Sequence, residues 1–199
     1  MNATLRPRSV RELVGGLRAV LQTSASTASE REEAQRYIAR LQSLSEHDIA
    51  VYDLFLEHMP DQDADLELVI LKGQLLVEYR LKEFVNERLL SPPALADARL
   101  TAHQVICLAE AMCLDNEDPH WLFGMARKLN SLRNALAHNL APSGMKERVD
   151  AFVAEYTARY PVQSGLAGCV GHLYAQVAEL ARIAGLPGYR IVGTRPGAV

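Results

Sequence analysis

The chain reads as an all-α protein, an antiparallel helical bundle, and three observations carry that reading. Apolar residues recur at steps of three and four over long stretches, the spacing that turns one face of an α-helix toward a core. Ser, Thr or Asp, the side chains that cap helix starts, stand ahead of several of these stretches. Alternating apolar and polar runs, the mark of a half-buried strand, are nearly absent. Short connections then favour sequential helices packing antiparallel.

The elements follow in order. Arg8 to Leu21 fits a first helix, weakened by the Gly15-Gly16 pair, and Thr23 to Ala28 is a small-residue linker. Ser29 with Glu32 has capping-box spacing and predicts a helix to about Leu44. Ser45 caps a shorter helix through Ile49, Tyr52 and Phe55, ending near Met59-Pro60. Asp61 to Asp65 then supply a cap and first-turn carboxylates for a long helix to about Leu90. That helix is apolar on more than one side (Leu68, Leu71, Leu75 and Tyr79, with Ile70, Val77, Leu81 and Phe84), as a central, buried element is. Gly73 in its middle costs stability unless another helix crosses closely there.

Ser91-Pro92-Pro93 stops the long helix, because proline disfavours helical geometry in the residue before it. Leu100 to Leu114 forms the next helix. Asp118-Pro119 predicts an N-cap followed by proline at the first helical position. The helix it opens carries a seam of Leu122, Met125, Leu129, Leu132 and Leu136, expected to bury against Leu68, Leu71, Leu75 and Tyr79. It should stop near Leu140, before Pro142 and Gly144. Two more helices fit Lys146 to Tyr160 and Ser164 to Gly185, and Gly188 to Val199 reads as a loose tail. The expected organisation is an N-terminal helical extension (1–60), a helical core (61–145), and C-terminal helices with a tail (146–199).

Of the 199 residues 49% are apolar, enough for a core without disulfides or a structural metal. Cys107, Cys113 and Cys169 lie in apolar helical patterns with no metal-ligand spacing, so buried thiols in a reduced, cytoplasmic protein are expected. No apolar run has the length of a signal peptide or membrane span. The net charge of −3 argues against a protein that coats nucleic acid, but the charge is unevenly spread. From Arg127 to Arg148 there are five bases (Arg127, Lys128, Arg133, Lys146, Arg148) and one acid, Glu147. Such a patch can hold a few phosphates on an otherwise acidic surface. Solvated helix faces of opposite sign would look the same. There is no phosphate-binding glycine loop, hydrolase elbow or paired histidine spacing, and no cofactor is expected.

The stretch Arg133-Asn134-Ala135-Leu136-Ala137-His138 sets an arginine, an amide and a histidine beside the aliphatic seam. A guanidinium is a permanently charged planar fork suited to phosphate oxygens, and an imidazole exchanges protons near neutral pH. His138 lies near a helix C-terminus, whose partial negative charge favours the protonated ring. On an ideal helix Asn134 and His138 stack outward, while Arg133 and His138 stand about 140° apart. To meet on one phosphate, the arginine must sweep round, the last turn must loosen, or a twofold axis must bring two copies together. A helix-end cap is the plainer reading of the same residues.

The segment Lys128 to His138 resembles the signature of the HEPN superfamily of helical ribonucleases and RNA-binding domains. In that signature an arginine, usually followed by a polar residue, precedes a histidine by four to six positions. The resemblance covers roughly Leu66 to Leu140, with a Leu-Leu-Val-Glu-Tyr core at Leu75 to Tyr79 and Ala98-Arg99-Leu100 opening the middle segment. It implies a HEPN-like bundle that forms a homodimer with the two motifs facing each other. It implies metal-independent endoribonuclease activity by Arg133 and His138, supported by Asn134, with Arg127, Lys128, Lys146 and Arg148 holding RNA. Relatives include toxins paired with a nucleotidyltransferase-like antitoxin, phage-defence effectors and non-catalytic members. A helical dimerisation or regulatory module therefore stands as the alternative.

Overall fold

A computed structural model describes residues 7–60, 65–113, 117–138, 143–161 and 165–184, and every regular element among them is an α-helix. The chain divides into two units, Met1–Met59 and Pro60–Val199.

The first unit holds α1 (Val10–Gln22), α2 (Ala28–Gln42) and α3 (Glu46–His58). Each starts on a hydroxyl cap: Ser9, Thr27 and Ser45. The capping box of α2 is Thr27 with Glu30, two residues ahead of the expected Ser29 and Glu32. Both pairs have the spacing. Starting at the earlier one adds backbone hydrogen bonds at no cost in patterning. Helix α1 packs on α2 and α3. Its start is tied down when the Val10 N–H donates to Asp53 Oδ1 at 2.6 Å and Arg8 Nη1 donates to the Glu57 carbonyl at 3.1 Å.

The second unit holds α4 (Leu66–Asn86), α5 (Pro93–Ala96), α6 (Ala102–Ala111), α7 (Glu117–His138), α8 (Met145–Arg159) and α9 (Gly165–Ala184). Helix α4 packs on α6, α7 and α9, and α7 also meets α6, α8 and α9. The core is apolar: Ile70, Val77, Leu81 and Phe84 from α4, Ile106 from α6, Phe123, Met125 and Leu129 from α7, Val170 and Leu173 from α9. The expected close crossing at Gly73 is present, since a Cβ there would lie 2.7 Å from Val170 Cγ1.

The α7 seam is buried at Leu122, Met125, Leu129 and Leu132 and half-buried at Leu136. Its expected partners on α4 are not where the pattern put them. Leu68, Leu71, Leu75 and Tyr79 are 44, 37, 57 and 48% exposed. Helix α4 carries two apolar stripes, and periodicity alone does not choose between them. The Gly73 crossing does, because the only side of α4 that α9 can approach closely is the side without a Cβ.

Other boundaries shift for local reasons. Helix α4 stops at Asn86 rather than Leu90. Arg88 Nη1 donates to the Phe84 carbonyl at 2.8 Å, and its guanidinium lies 3.6 Å from the Phe84 ring centroid, closing the last turn. Pro93 opens the four-residue α5 rather than ending a helix, a position suited to its fixed φ. Helix α6 begins after Thr101, whose capping box with Gln104 excludes Leu100 and the Arg99 residue at φ +45°. Helix α7 begins at Glu117, so Asp118 and Pro119 lie inside its first turn. The expected stop near Leu140 and the tail from Gly188 lie outside the described residues. The thiols differ from expectation: Cys169 is buried, Cys113 intermediate and Cys107 exposed.

Candidate functional site

The last two turns of α7 carry the motif. Leu129 and Leu132, 0 and 5% exposed, fix the rotation of the helix. Arg133 and Asn134 follow at the seam's edge, both half-buried. Arg133 Nη1 donates to Asn134 Oδ1 at 3.1 Å. Asn134 thus helps to orient the guanidinium. Asn130, one turn earlier, is buried at 7% exposure.

His138 is the last residue of α7, and its side chain lies outside the described residues. Because α7 is helical through His138, its backbone stands about 140° around the axis and about 7.5 Å along it from Arg133. Among the described residues the Arg133 guanidinium meets Asn134 and no carboxylate.

The surrounding bases are differently placed. Arg127 pairs with Glu110 of α6, which also meets His120 Nδ1 at 3.1 Å. Lys128 pairs with Glu155 of α8. Lys146 pairs with Asp150 at 2.7 Å, and that hydrogen bond raises its ammonium above the usual lysine range. Arg148 is exposed, with no ion pair among the described residues. Three of the four cations expected to hold RNA therefore already face an acid. For Arg127 and Lys128, counting charge along the chain missed this because Glu110 and Glu155 lie far away in sequence and arrive only by helix packing; Asp150 stands four residues after Lys146, just beyond the counted run.

Two further clusters were not foreseen. Trp121, Tyr156, Tyr160 and His172 join α7, α8 and α9, with ring centroids 4.6–5.9 Å apart. The Tyr156 hydroxyl meets His172 Nδ1 at 2.9 Å, and burial pushes its phenol well up, so it stays neutral. The Phe152-Tyr156-Tyr160 spacing in α8 was the available signal. The cluster packs and orients helices. Arg80 on α4 is 4% exposed, 3.8 Å from Glu87 and with an unpartnered Nε.

Among the described residues no group of three or more His, Cys, Asp or Glu could hold a metal ion, and no helix is long and apolar enough to cross a membrane. No protein-family model, curated protein or solved structure matches the chain.

Proposed function

We propose that the chain is a metal-independent endoribonuclease of the HEPN type, an antiparallel bundle that works through Arg133 and His138 with Asn134 in support. The observation that carries this reading is Arg133: a half-buried guanidinium, held by Asn134 at 3.1 Å, without an acid partner among the described residues. Its position five residues before a histidine is the family-like spacing.

The chemistry needs three things. His138 removes the proton of a ribose 2′-OH, and the freed oxygen attacks the adjacent phosphorus. Arg133 donates two charge-assisted hydrogen bonds to the non-bridging oxygens as negative charge builds on them. A protonated imidazole then donates to the departing 5′-oxygen, leaving a 2′,3′-cyclic phosphate and a 5′-hydroxyl. Proton transfer of this kind contributes typically ~10²–10⁴-fold. The separation of Arg133 and His138 on one helix favours a homodimer in which each copy supplies one of the two groups. A toxin or phage-defence role in the cytoplasm, restrained by a nucleotidyltransferase-like antitoxin, fits that activity.

The second reading, a non-catalytic dimerisation or regulatory module, is favoured by the neutralised bases Arg127, Lys128 and Lys146. Incubation of the purified protein with single-stranded or loop RNA in the presence of a chelator separates the two. The ribonuclease reading expects cleavage with cyclic-phosphate ends, none of DNA, and loss of activity in His138→Ala and Arg133→Lys. A point charge does not replace the bidentate fork. Undiminished cleavage by His138→Ala, or a strict need for a divalent ion, leaves the interaction module as the function.

A further inference from the structure

The last turns of α4 bury a charge that its surroundings do not fully answer. The Arg80 side chain is 4% exposed, and its Nε–H has no hydrogen-bond partner. Among the described residues its one ion-pair partner is Glu87, and Arg80 Nη1 stands 3.8 Å from Glu87 Oε1, beyond hydrogen-bond reach. A buried guanidinium gives up its hydration, and only well-placed acceptors compensate that loss. Buried donors without an acceptor are rare in folded proteins, and a bound water or ion commonly completes them.

The neighbours of Arg80 favour an ion. The Arg88 side chain is 8% exposed, and its Nη1 stands 3.7 Å from Oε2, the other oxygen of Glu87. One carboxylate therefore lies between two buried guanidiniums, one oxygen toward each, at distances too long for hydrogen bonds. Burial lowers the Arg88 pKa from the usual arginine range, and the charge of Arg80 lowers it further against the pull of Glu87. Cys113, also near Arg88, adds no charge at neutral pH, because burial pushes its thiol up to about 11. Glu78 is taken by Lys82 at 2.7 Å. Glu87 is the C-cap residue of α4 and its side chain is 42% exposed. Rotating that side chain carries the carboxylate into solvent and opens a carboxylate-sized place before both guanidiniums.

We propose that Arg80 and Arg88 bind a phosphate group, free or carried by a nucleotide, with Glu87 as the internal carboxylate that competes for the same place. Two guanidiniums facing one place carry a charge that a dianion matches and a single carboxylate does not. Guanidinium forks bond phosphate oxygens in pairs, and a tetrahedral group offers oxygens to both forks where Glu87 gives one to each. The Arg80 Nε–H then gains an acceptor. The carbonyl end of a helix disfavours an anion, and Arg88 offsets this by donating to the Phe84 carbonyl at 2.8 Å. The inference does not rest on the ribonuclease reading, whose residues lie on α7.

Thermal unfolding of the full-length protein in phosphate, against chloride at equal ionic strength and mildly alkaline pH, tests it. Phosphate, a dianion there, is expected to raise the midpoint saturably. Adenosine monophosphate run alongside identifies the source, since the tighter of the two is the form the site takes. Glu87→Gln removes the competing carboxylate from an exposed position and is expected to tighten phosphate about tenfold (about 1.4 kcal/mol). Arg80→Gln is expected to abolish the response. Because that variant removes a buried side chain, the Arg80 Nε–H resonance of the wild type gives a second readout, expected to move downfield in phosphate as the donor gains an acceptor. A gain no larger than in chloride, as ionic screening alone would give, overturns the proposal. So does a Glu87→Gln protein that binds phosphate no tighter than wild type, as expected if Glu87 is a structural partner and no competitor. A folded Arg80→Gln protein with an undiminished response, or an Nε–H resonance that phosphate leaves in place, as expected if water serves the donor, also overturns it.

Discussion

Gly73→Ala sets two known effects against each other at one position. In an exposed helix the substitution stabilises by ~1 kcal/mol, because glycine loses more backbone entropy on folding than alanine. At Gly73 the added Cβ would sit 2.7 Å from Val170 Cγ1, at least about 0.7 Å short of ordinary contact. Val170 has no easy escape. It is fully buried, and a β-branched residue within a helix strongly prefers one rotamer. Either α9 moves away from α4 or the valine leaves its well, an overpacking cost of about 1–3 kcal/mol. The clash outweighs the propensity gain, so the expected net effect is a destabilisation of about 1–2 kcal/mol. Urea unfolding followed by circular dichroism measures it. The double-mutant cycle with Val170→Ala gives the cause: Val170→Ala should cost less in the Gly73→Ala background, with a coupling of about 1 kcal/mol or more. A Gly73→Ala protein more stable than wild type, or additive effects in the cycle, would mean that α9 does not cross α4 at this point.

Three other outcomes are expected. Leu132→Ala, truncating a residue 5% exposed in the α7 seam, should cost about 2–5 kcal/mol in the same assay; a cost under 1 kcal/mol would mean the seam is not packed. Brief alkylation of native protein at mildly alkaline pH should label Cys107 first, because burial pushes the Cys113 and Cys169 thiols up to about 11; equal labelling of all three would contradict the packing around α6 and α9. The backbone hydrogen bond from Thr27, aided by its hydroxyl, holds the Glu30 carboxyl below the usual glutamate range. Its contribution to the start of α2 is present above the unfolded glutamate pKa and lost as pH falls through the folded one. Wild type should therefore show an acid-induced fraying of α2 that Glu30→Gln lacks, seen in amide exchange at residues 27–31; identical pH profiles would remove the capping box from the account.

Helical content, the approximate helix boundaries and the α7 seam were legible in the sequence because they depend on near neighbours. A cap acts over three residues and a seam over three or four, and both appear as spacing. Ser45 as the cap of α3 and the burial of Leu122, Met125, Leu129 and Leu132 followed from that alone. The pairing of Arg133 with Asn134 was equally local, yet its direction was not legible. The structure adds that the Asn134 amide oxygen accepts from the Arg133 guanidinium at 3.1 Å.

Packing decided the rest. Two apolar stripes on α4 competed for one core, and the missing Cβ of Gly73 against Val170 chose the stripe of Ile70, Val77 and Phe84 and left Leu75 outside. Two bases of the run, Arg127 and Lys128, were paired with Glu110 and Glu155, brought in by α6 and α8 from 17 and 27 residues away. Periodicity fixes how far apart side chains stand around one helix. Which neighbour each face meets depends on the shapes and charges of other helices, and that information is held jointly by distant parts of the chain.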